Sequence, residues 1–425
     1  MSCPLKIKIM AMIVTGLLLF SIFSTTNRIT NVNASKLEEN NGASIDSSTL
    51  SKSSVNYEEI RSLESNTVQD IELKDDAFHK TNDIYHLETW YFDAVFTNKY
   101  SMAVIVTIAQ KDDTGSVLTG LYIYKDTELI YSTRTLHQLD QLSASEEKLD
   151  MKISDETIMK CDIDADTSRW NYYVSENFDD VSIDLNFINM TDGWKTDIIG
   201  GWWFVSPRLS VIGSITLESE KIAVTGEGYH DHNWFYTNTP LMQEGWHFGN
   251  IAGDSLGITW ANIVKDNYNT DRIVVLNQKN SRPIMVDPKD VTLTVEEYME
   301  SNGKKVPKIF TLEIQTDRLH ASFYIETLNF NCVNLPLLVN YWRFHIKIVG
   351  NITFDSVTEK INNVGIAELM KFFRIDIDSK TKNIKKIEIP TIVELIRAKL
   401  FTSFSRIYEQ RTTLISKRAM LSFLK

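Results

Sequence analysis

Trp342-Arg343-Phe344-His345-Ile346-Lys347-Ile348-Val349 changes side-chain character at almost every step. On an extended chain Trp342, Phe344, Ile346 and Ile348 share one face, and Arg343, His345 and Lys347 share the other. A helix would scatter both sets around its axis, so the period of two reads as a β-strand with one buried face. The same texture recurs at Met102–Ala109, Val181–Ile188, Leu209–Leu217 and Ala321–Leu328. Gly, Asn and Asp separate these runs, as tight turns require. No sustained helical period precedes residue 384. The body of the chain therefore reads as all-β, built from many short antiparallel strands in a barrel or a sandwich.

A repeat divides this body in two. Val211-Ile212-Gly213-Ser214-Ile215-Thr216-Leu217-Glu218-Ser219 matches Ile348-Val349-Gly350-Asn351-Ile352-Thr353-Phe354-Asp355-Ser356 at an offset of 137. The same offset carries Gly228 to Gly365 and Asp231 to Glu368. Glu88-Thr89-Trp90-Tyr91-Phe92 echoes Glu244-Gly245-Trp246-His247-Phe248 as an E-x-W-x-F pattern. Each half opens on one pattern and closes on the other, which predicts two related β-barrels, residues 86–236 and 237–373.

Composition sets the outer limits. The 425 residues are 43% hydrophobic and 24% charged, ordinary globular proportions that exclude a wholly disordered, fibrous or multi-span membrane chain. The 44 bases and 56 acids leave a net charge of −12, which argues against a nucleic-acid partner.

The ends differ from the body. Lys6 and Lys8 precede an uncharged apolar run from Ile9 to Phe23, and Val32-Asn33-Ala34 supplies a small-residue exit. Residues 1–34 read as a secretory signal peptide or, if retained, as an N-terminal membrane anchor. The body is expected to be secreted or extracytoplasmic. Residues 35–80, rich in Ser, Asn and acids, read as a disordered linker. In the tail, 384–425, Val393, Ile396, Leu400, Phe404 and Ile407 form one apolar helical stripe. From Lys385 onward nine bases face three acids, a net +6. Such a basic amphipathic helix can lie on an anionic membrane surface or pack on its own domain. Cys161 and Cys332, once Cys3 leaves with a cleaved signal, can form a disulfide or stay as buried thiols.

The stretch Gly226-Glu227-Gly228-Tyr229-His230-Asp231-His232-Asn233-Trp234 carries the chemistry. On a strand, His230, His232 and Trp234 share one face, and Tyr229, Asp231 and Asn233 the other. Gly226 and Gly228 permit a bulge or a close backbone approach. Three readings fit. The His230/His232 pair could hold a metal, with a third ligand from His247, Glu244 or elsewhere. Asp231 or His232, desolvated among Trp90, Trp202, Trp203, Trp234 and Trp246, could deliver a proton. The whole set could be a polar network joining the two barrels. The candidate catalytic residues are Asp231 and His232. Tyr229, His230, Asn233, Trp234, Trp90, Glu88 and Trp246 are candidate ligand-binding residues. No metal or cofactor is expected.

This string, with the upstream Pro207 and V/I-G strand, resembles the two-domain lipocalin-like family. So does Glu88-Thr89-Trp90-Tyr91-Phe92-Asp93-Ala94. That family includes the carotenoid 1,2-hydratases (hydroxyneurosporene synthases), AttH-type proteins and certain fungal Diels–Alderases. The resemblance covers His86 to Phe373. It implies two consecutive lipocalin-like (calycin) antiparallel β-barrels, with a hydrophobic isoprenoid or lipid bound in or between them. In the hydratases the His-Asn-Trp part corresponds to His232, Asn233 and Trp234, where an isolated double bond is protonated and water adds to the cation. Here the following strand, Leu256–Asn262, has no acid, and Phe235 stands where the family has Gly. The expected role is an exported protein that binds a long apolar ligand. The alternatives are a hydratase-like lyase or pericyclase-like isomerase, and an accessory subunit of an ABC-type export system.

Overall fold

The computed structural model describes residues 67–80, 85–111, 114–178, 181–198, 201–235, 243–265, 270–335 and 339–372. The expected signal or anchor segment and the basic helical tail lie outside the described residues. Twelve strands form the first sheet: β1 (Tyr85–Phe96), β2 (Tyr100–Lys111), β3 (Thr114–Lys125), β4 (Glu128–Gln138), β5 (Leu142–Ala144), β6 (Asp150–Ile153), β7 (Glu156–Ile163), β8 (Trp170–Phe178), β9 (Val181–Asn189), β10 (Trp194–Ile198), β11 (Gly201–Leu217) and β12 (Glu220–Phe235). Nine form the second: β13 (Gln243–Ala252), β14 (Leu256–Lys265), β15 (Thr270–Gln278), β16 (Ser281–Met285), β17 (Val291–Ser301), β18 (Lys304–Gln315), β19 (Leu319–Leu335), β20 (Val339–Phe354) and β21 (Val357–Phe372). The fold is all-β, a nearly closed barrel followed by a half-barrel.

Each sheet is joined through its first and last strands. The first runs β4-β3-β2-β1-β12-β11-β9-β8-β7-β6-β5, and the second β16-β15-β14-β13-β21-β20-β19-β18-β17. The sequence repeat falls on equivalent hairpins, β11–β12 and β20–β21. Glu218 and Ser219, both at positive φ, make the first of these turns, and Asp355 at φ 51° lies in the second. Two-residue turns of this hand match the twist of the strands they join.

The strand alternation appears as burial. Tyr172, Val174, Ile183, Leu185 and Phe187 point into the first barrel, and Trp342, Phe344, Ile346 and Ile348 into the second. A third cluster, which includes Tyr91, Trp203, Tyr229, Phe248 and Ile263, packs the two sheets together. Here the simple picture of β20 needs correction. Arg343 and His345, assigned by alternation to a polar outer face, are each 1% exposed, because that face meets the first sheet. Ser101 of β2 lies 2.7 Å from His345 Nε2.

A second correction concerns the expected linker, 35–80. Its last part, residues 67–80, is folded. Gln69 bridges to Lys195, a short 3-10 turn spans Leu73–Asp75, and Asp76 and Ala77 are completely buried. Low hydrophobicity did not prevent this, because the segment is held by polar pairing with histidines of β12.

Candidate functional site

The chemistry begins with the register of β1 and β12. Glu88 faces Trp234, Trp90 faces His232 and Phe92 faces His230 across the ladder. These residues look into the end of the first barrel. Trp90 stacks on His232 with ring centroids 4.1 Å apart, Phe92 on His230 at 3.8 Å, and His79 on Trp234 at 3.9 Å. Close cross-strand approach is a condition of this arrangement. A Cβ on Gly228 would lie 2.6 Å from the Asp93 carbonyl oxygen and 2.8 Å from Val211 Cγ2. A bulge between Ser206 and Leu209 takes up Pro207, which cannot donate to the ladder.

Two carboxylates with no exposure organise the chamber. Glu88 Oε1 lies 2.8 Å from His79 Nδ1 and 2.8 Å from His232 Nε2, and it accepts the His79 backbone N–H at 3.0 Å. Glu88 Oε2 lies 2.8 Å from His86 Nε2. Asp76 lies 3.1 Å from His230 Nε2 and 3.4 Å from His232 Nδ1. The other His230 ring nitrogen, Nδ1, is 2.9 Å from the Tyr91 carbonyl oxygen. The indole N–H of Trp90 donates to the Asp76 backbone carbonyl at 3.1 Å.

Burial alone would push both carboxyls up. The bonds to His232, His79 and His86 outweigh it at Glu88, and His230 and His232 outweigh it at Asp76, so both are held below the usual carboxylate range. Burial alone would push His232 down, but Asp76 and Glu88 on either side raise it to about 8.

The opposite faces of the same two strands build a different centre. Tyr91 O–H donates to Asp93 at 2.9 Å, and Tyr229 O–H donates to Asp231 at 2.8 Å. Each strand thus carries a Tyr-x-Asp pair, and the register sets Tyr91 opposite Asp231 and Asp93 opposite Tyr229. Asp231 also accepts from Trp203 Nε1 at 3.1 Å and from Asn233 Nδ2 at 3.1 Å. Burial pushes Asp231 up to about 7 and Asp93 up to about 8, and the charge of Glu368 adds to both. Glu368 and Arg343, at Nε to Oε 3.3 Å, form the ion pair of this junction. Tyr341 accepts from Arg343 Nη2 at 2.8 Å and donates to Glu368. The Arg343 guanidinium lies over the Tyr122 ring at 4.6 Å.

The sequence-predicted residues therefore separate into two groups. Glu88, Trp90, His230, His232 and Trp234 meet in the barrel chamber. Tyr229, Asp231 and Asn233 face the junction between the sheets, where Trp246 also packs. Asp231 and His232, proposed as alternatives for one proton donor, belong to different environments. His247, considered as a metal ligand with His230 and His232, packs instead against Trp260 and Phe310. Sequence reasoning missed Asp76, His79 and His86. The available signal was the gathering of histidines: four of the eight in the chain stand at 79, 86, 230 and 232. A recess of about 330 Å³ on the second sheet, lined by residues including Ile284, Met285, Arg318 and Phe354, contains none of these groups and is remote from the chemistry.

No protein-family model matches the chain, and no curated protein matches it. Solved structures do. An AttH-like protein from Nitrosomonas europaea aligns with a TM-score of 0.54 at 14% identity, over 72% of this chain and 98% of that one. CghA, solved with Sch210972, aligns at 0.50 and 11% identity, over 68% and 88%. Kievitone hydratase from Nectria haematococca aligns at 0.47 and 15% identity, over 67% and 88%. At 14% identity the likeness to the AttH-like protein is one of architecture, and it joins the strand order already described: the chain has the lipocalin-like fold.

Proposed function

We propose that the chain is a hydratase-type enzyme that adds water to, or removes it from, an unsaturated and largely apolar small molecule of isoprenoid or lipid character. The supporting observation is the burial of Asp76 and Glu88 at zero exposure among four imidazoles, at an aromatic barrel end. A protein that only carries an apolar ligand has no need for such groups, and desolvating them is costly. In this reading Trp90, Trp234 and Phe92, stacked on the imidazoles, make the barrel end apolar and aromatic, a setting that tolerates developing positive charge. Glu88 and its ring of imidazoles position the water and manage its protons. His79, with its side chain 27% exposed, stands on the solvent side of the chamber. Asp231 takes no part, since it faces the other way. Export of the protein remains the reading of residues 1–34 and rests on the sequence of that segment.

The test is incubation of the purified protein with a panel of isoprenoid and polyene alkenes in isotopically labelled water. A product heavier by one labelled water, lost in Glu88→Gln while the alkene still binds, supports the proposal. Labelling that is unchanged in Glu88→Gln excludes Glu88 from positioning the water or moving its protons.

A further inference from the structure

We propose that His79 Nδ1, Glu88 and His232 Nε2 form a binding site for one divalent transition-metal ion of the zinc and iron class. The inference uses the geometry of the chamber, and it stands whether or not water is added to a substrate there.

Four observations support it. First, one ligand atom from each of the three residues lies within 4.8 Å of the other two. Metal bonds of about 2.0–2.2 Å to nitrogen and oxygen place neighbouring donors roughly 3–3.5 Å apart. The 2.8 Å separations from Glu88 to the two imidazoles would open by only about half an ångström to admit an ion. Second, two imidazoles and one carboxylate are a ligand set that holds catalytic zinc or non-haem ferrous iron with positions left open. His86, on the far oxygen of Glu88, is a further nitrogen donor within reach of the same carboxylate.

Third, a carboxylate stands beside the second nitrogen of His232, although no hydrogen bond joins the two as the side chains stand. The second nitrogen of a metal-binding histidine usually faces a carboxylate that fixes the ring. His232 Nδ1 faces the Asp76 carboxylate at 3.4 Å, is fully buried and has no hydrogen-bond partner among the described residues. Trp90 then fixes both members, stacking on His232 and bonding the Asp76 carbonyl. Fourth, the charges match. Two carboxylates with zero exposure need compensation of about two positive charges, which a single dication supplies without protonating the imidazoles.

The elements explain why the three residues meet. Glu88 and His232 are brought together by the β1–β12 ladder. His79 is supplied by the segment folded across the barrel end, which is anchored by the complete burial of Asp76 and Ala77. A single strand could not provide this set, and so the H-x-H pair at 230 and 232 does not ligate as a pair. His230 is committed to Asp76 and to the Tyr91 carbonyl.

The experiment uses the full chain, stripped with a chelator and titrated with Co²⁺ alone at neutral pH. Binding is followed by the visible absorption of protein-bound cobalt, with competition by Zn²⁺. The expected result is one equivalent of Co²⁺ per chain, displaced by Zn²⁺. His79→Ala and Glu88→Gln should each weaken it at least about tenfold, as should Asp76→Asn through the outer shell. Asp231→Asn, on the other side of β12, should bind as the parent does. Absence of a cobalt band in the folded parent overturns the proposal. So does a band that His79→Ala leaves unchanged, since the ion then sits elsewhere. His79 is partly exposed, so this variant decides the question even if Glu88→Gln fails to fold. No substrate enters the measurement, so failure of the hydratase reading and failure of the metal site are separate results.

Discussion

Asp231 and Glu368 stand 137 positions apart, at matching places in two repeated hairpins, and both are buried where the two sheets meet. Burial first, and then the charge of Glu368, favours the protonated form of Asp231. The repeat has thus brought two equivalent acids into one poorly solvated space, with Arg343 as the guanidinium between the sheets. Only one of the two acids is paired with it.

Stability should consequently fall as the solution becomes alkaline. Asp231 and Asp93, raised to about 7 and about 8, bind protons in the folded state that the unfolded chain has already released. Their contribution is complete below about pH 4 and is lost as pH rises through 7 to 8. Glu176, raised to about 8 by burial, acts in the same sense. His247 and His345, lowered to about 4 by burial, act in the opposite sense but only below their usual 6.5. Between pH 6.5 and about 8.5 the free energy of unfolding by urea should drop by on the order of 1–3 kcal/mol. Asp231→Asn, which mimics the neutral acid, should reduce that slope.

Arg343 should be among the most costly residues to truncate. It is 1% exposed and bonds Glu368 and Tyr341. Arg343→Met leaves the Glu368 carboxylate buried without its cation and should cost about 3–5 kcal/mol in urea unfolding. Arg343→Met combined with Glu368→Gln should recover a substantial part of the loss, and the difference gives the coupling of the pair.

Gly228→Ala should destabilise the β1–β12 seam. Its methyl group would meet the Asp93 carbonyl oxygen at 2.6 Å and the Phe187 ring at 2.9 Å, neither of which can move freely in a packed barrel. A loss of about 1–3 kcal/mol is expected in thermal or urea unfolding. Gly303, with no atom within 4 Å of a Cβ but φ at 68°, provides the comparison in which backbone strain acts without crowding.

The two cysteines of the described body should behave as separate thiols. Cys161 is buried in the first barrel, and burial pushes its thiol far up, whereas Cys332 is only partly buried on β19. Alkylation of the native protein followed by peptide mapping should modify Cys332 and spare Cys161 until denaturant is added. A peptide linking the two would contradict this.

The strands were legible because a period of two survives in the sequence wherever one face is buried. The repeat was legible because its turns and its glycines are fixed by backbone geometry. The polar face of β20 misled, since Arg343 and His345 look like a solvated edge until the second sheet is known to lie across it. The candidate chamber was half legible. Glu88, Trp90 and the 230–234 string announced themselves by local density of unusual residues. Asp76 and His79 did not, because they sit at the end of a hydrophilic stretch whose average composition resembles a linker. Their role depends on folding across a barrel end that no local pattern records.

The order β4-β3-β2-β1-β12-β11 also governs how the protein can be made. Phe92 pairs with His230 and Gly249 with Ala367, so in both sheets the earliest strand waits for the last. During synthesis the meander β1–β4 leaves the ribosome with its β1 edge unsatisfied as well as the β4 edge that ends the sheet, and it must keep the β1 edge from other chains until β12 has emerged. The first sheet can close before β13 exists, but the acids and tyrosines of its outer face remain in water until the second sheet is complete. The buried junction is therefore the last part of the described body to dry, and a nascent chain halted after Phe235 would present Asp231, Asp93 and their tyrosines as an open polar surface.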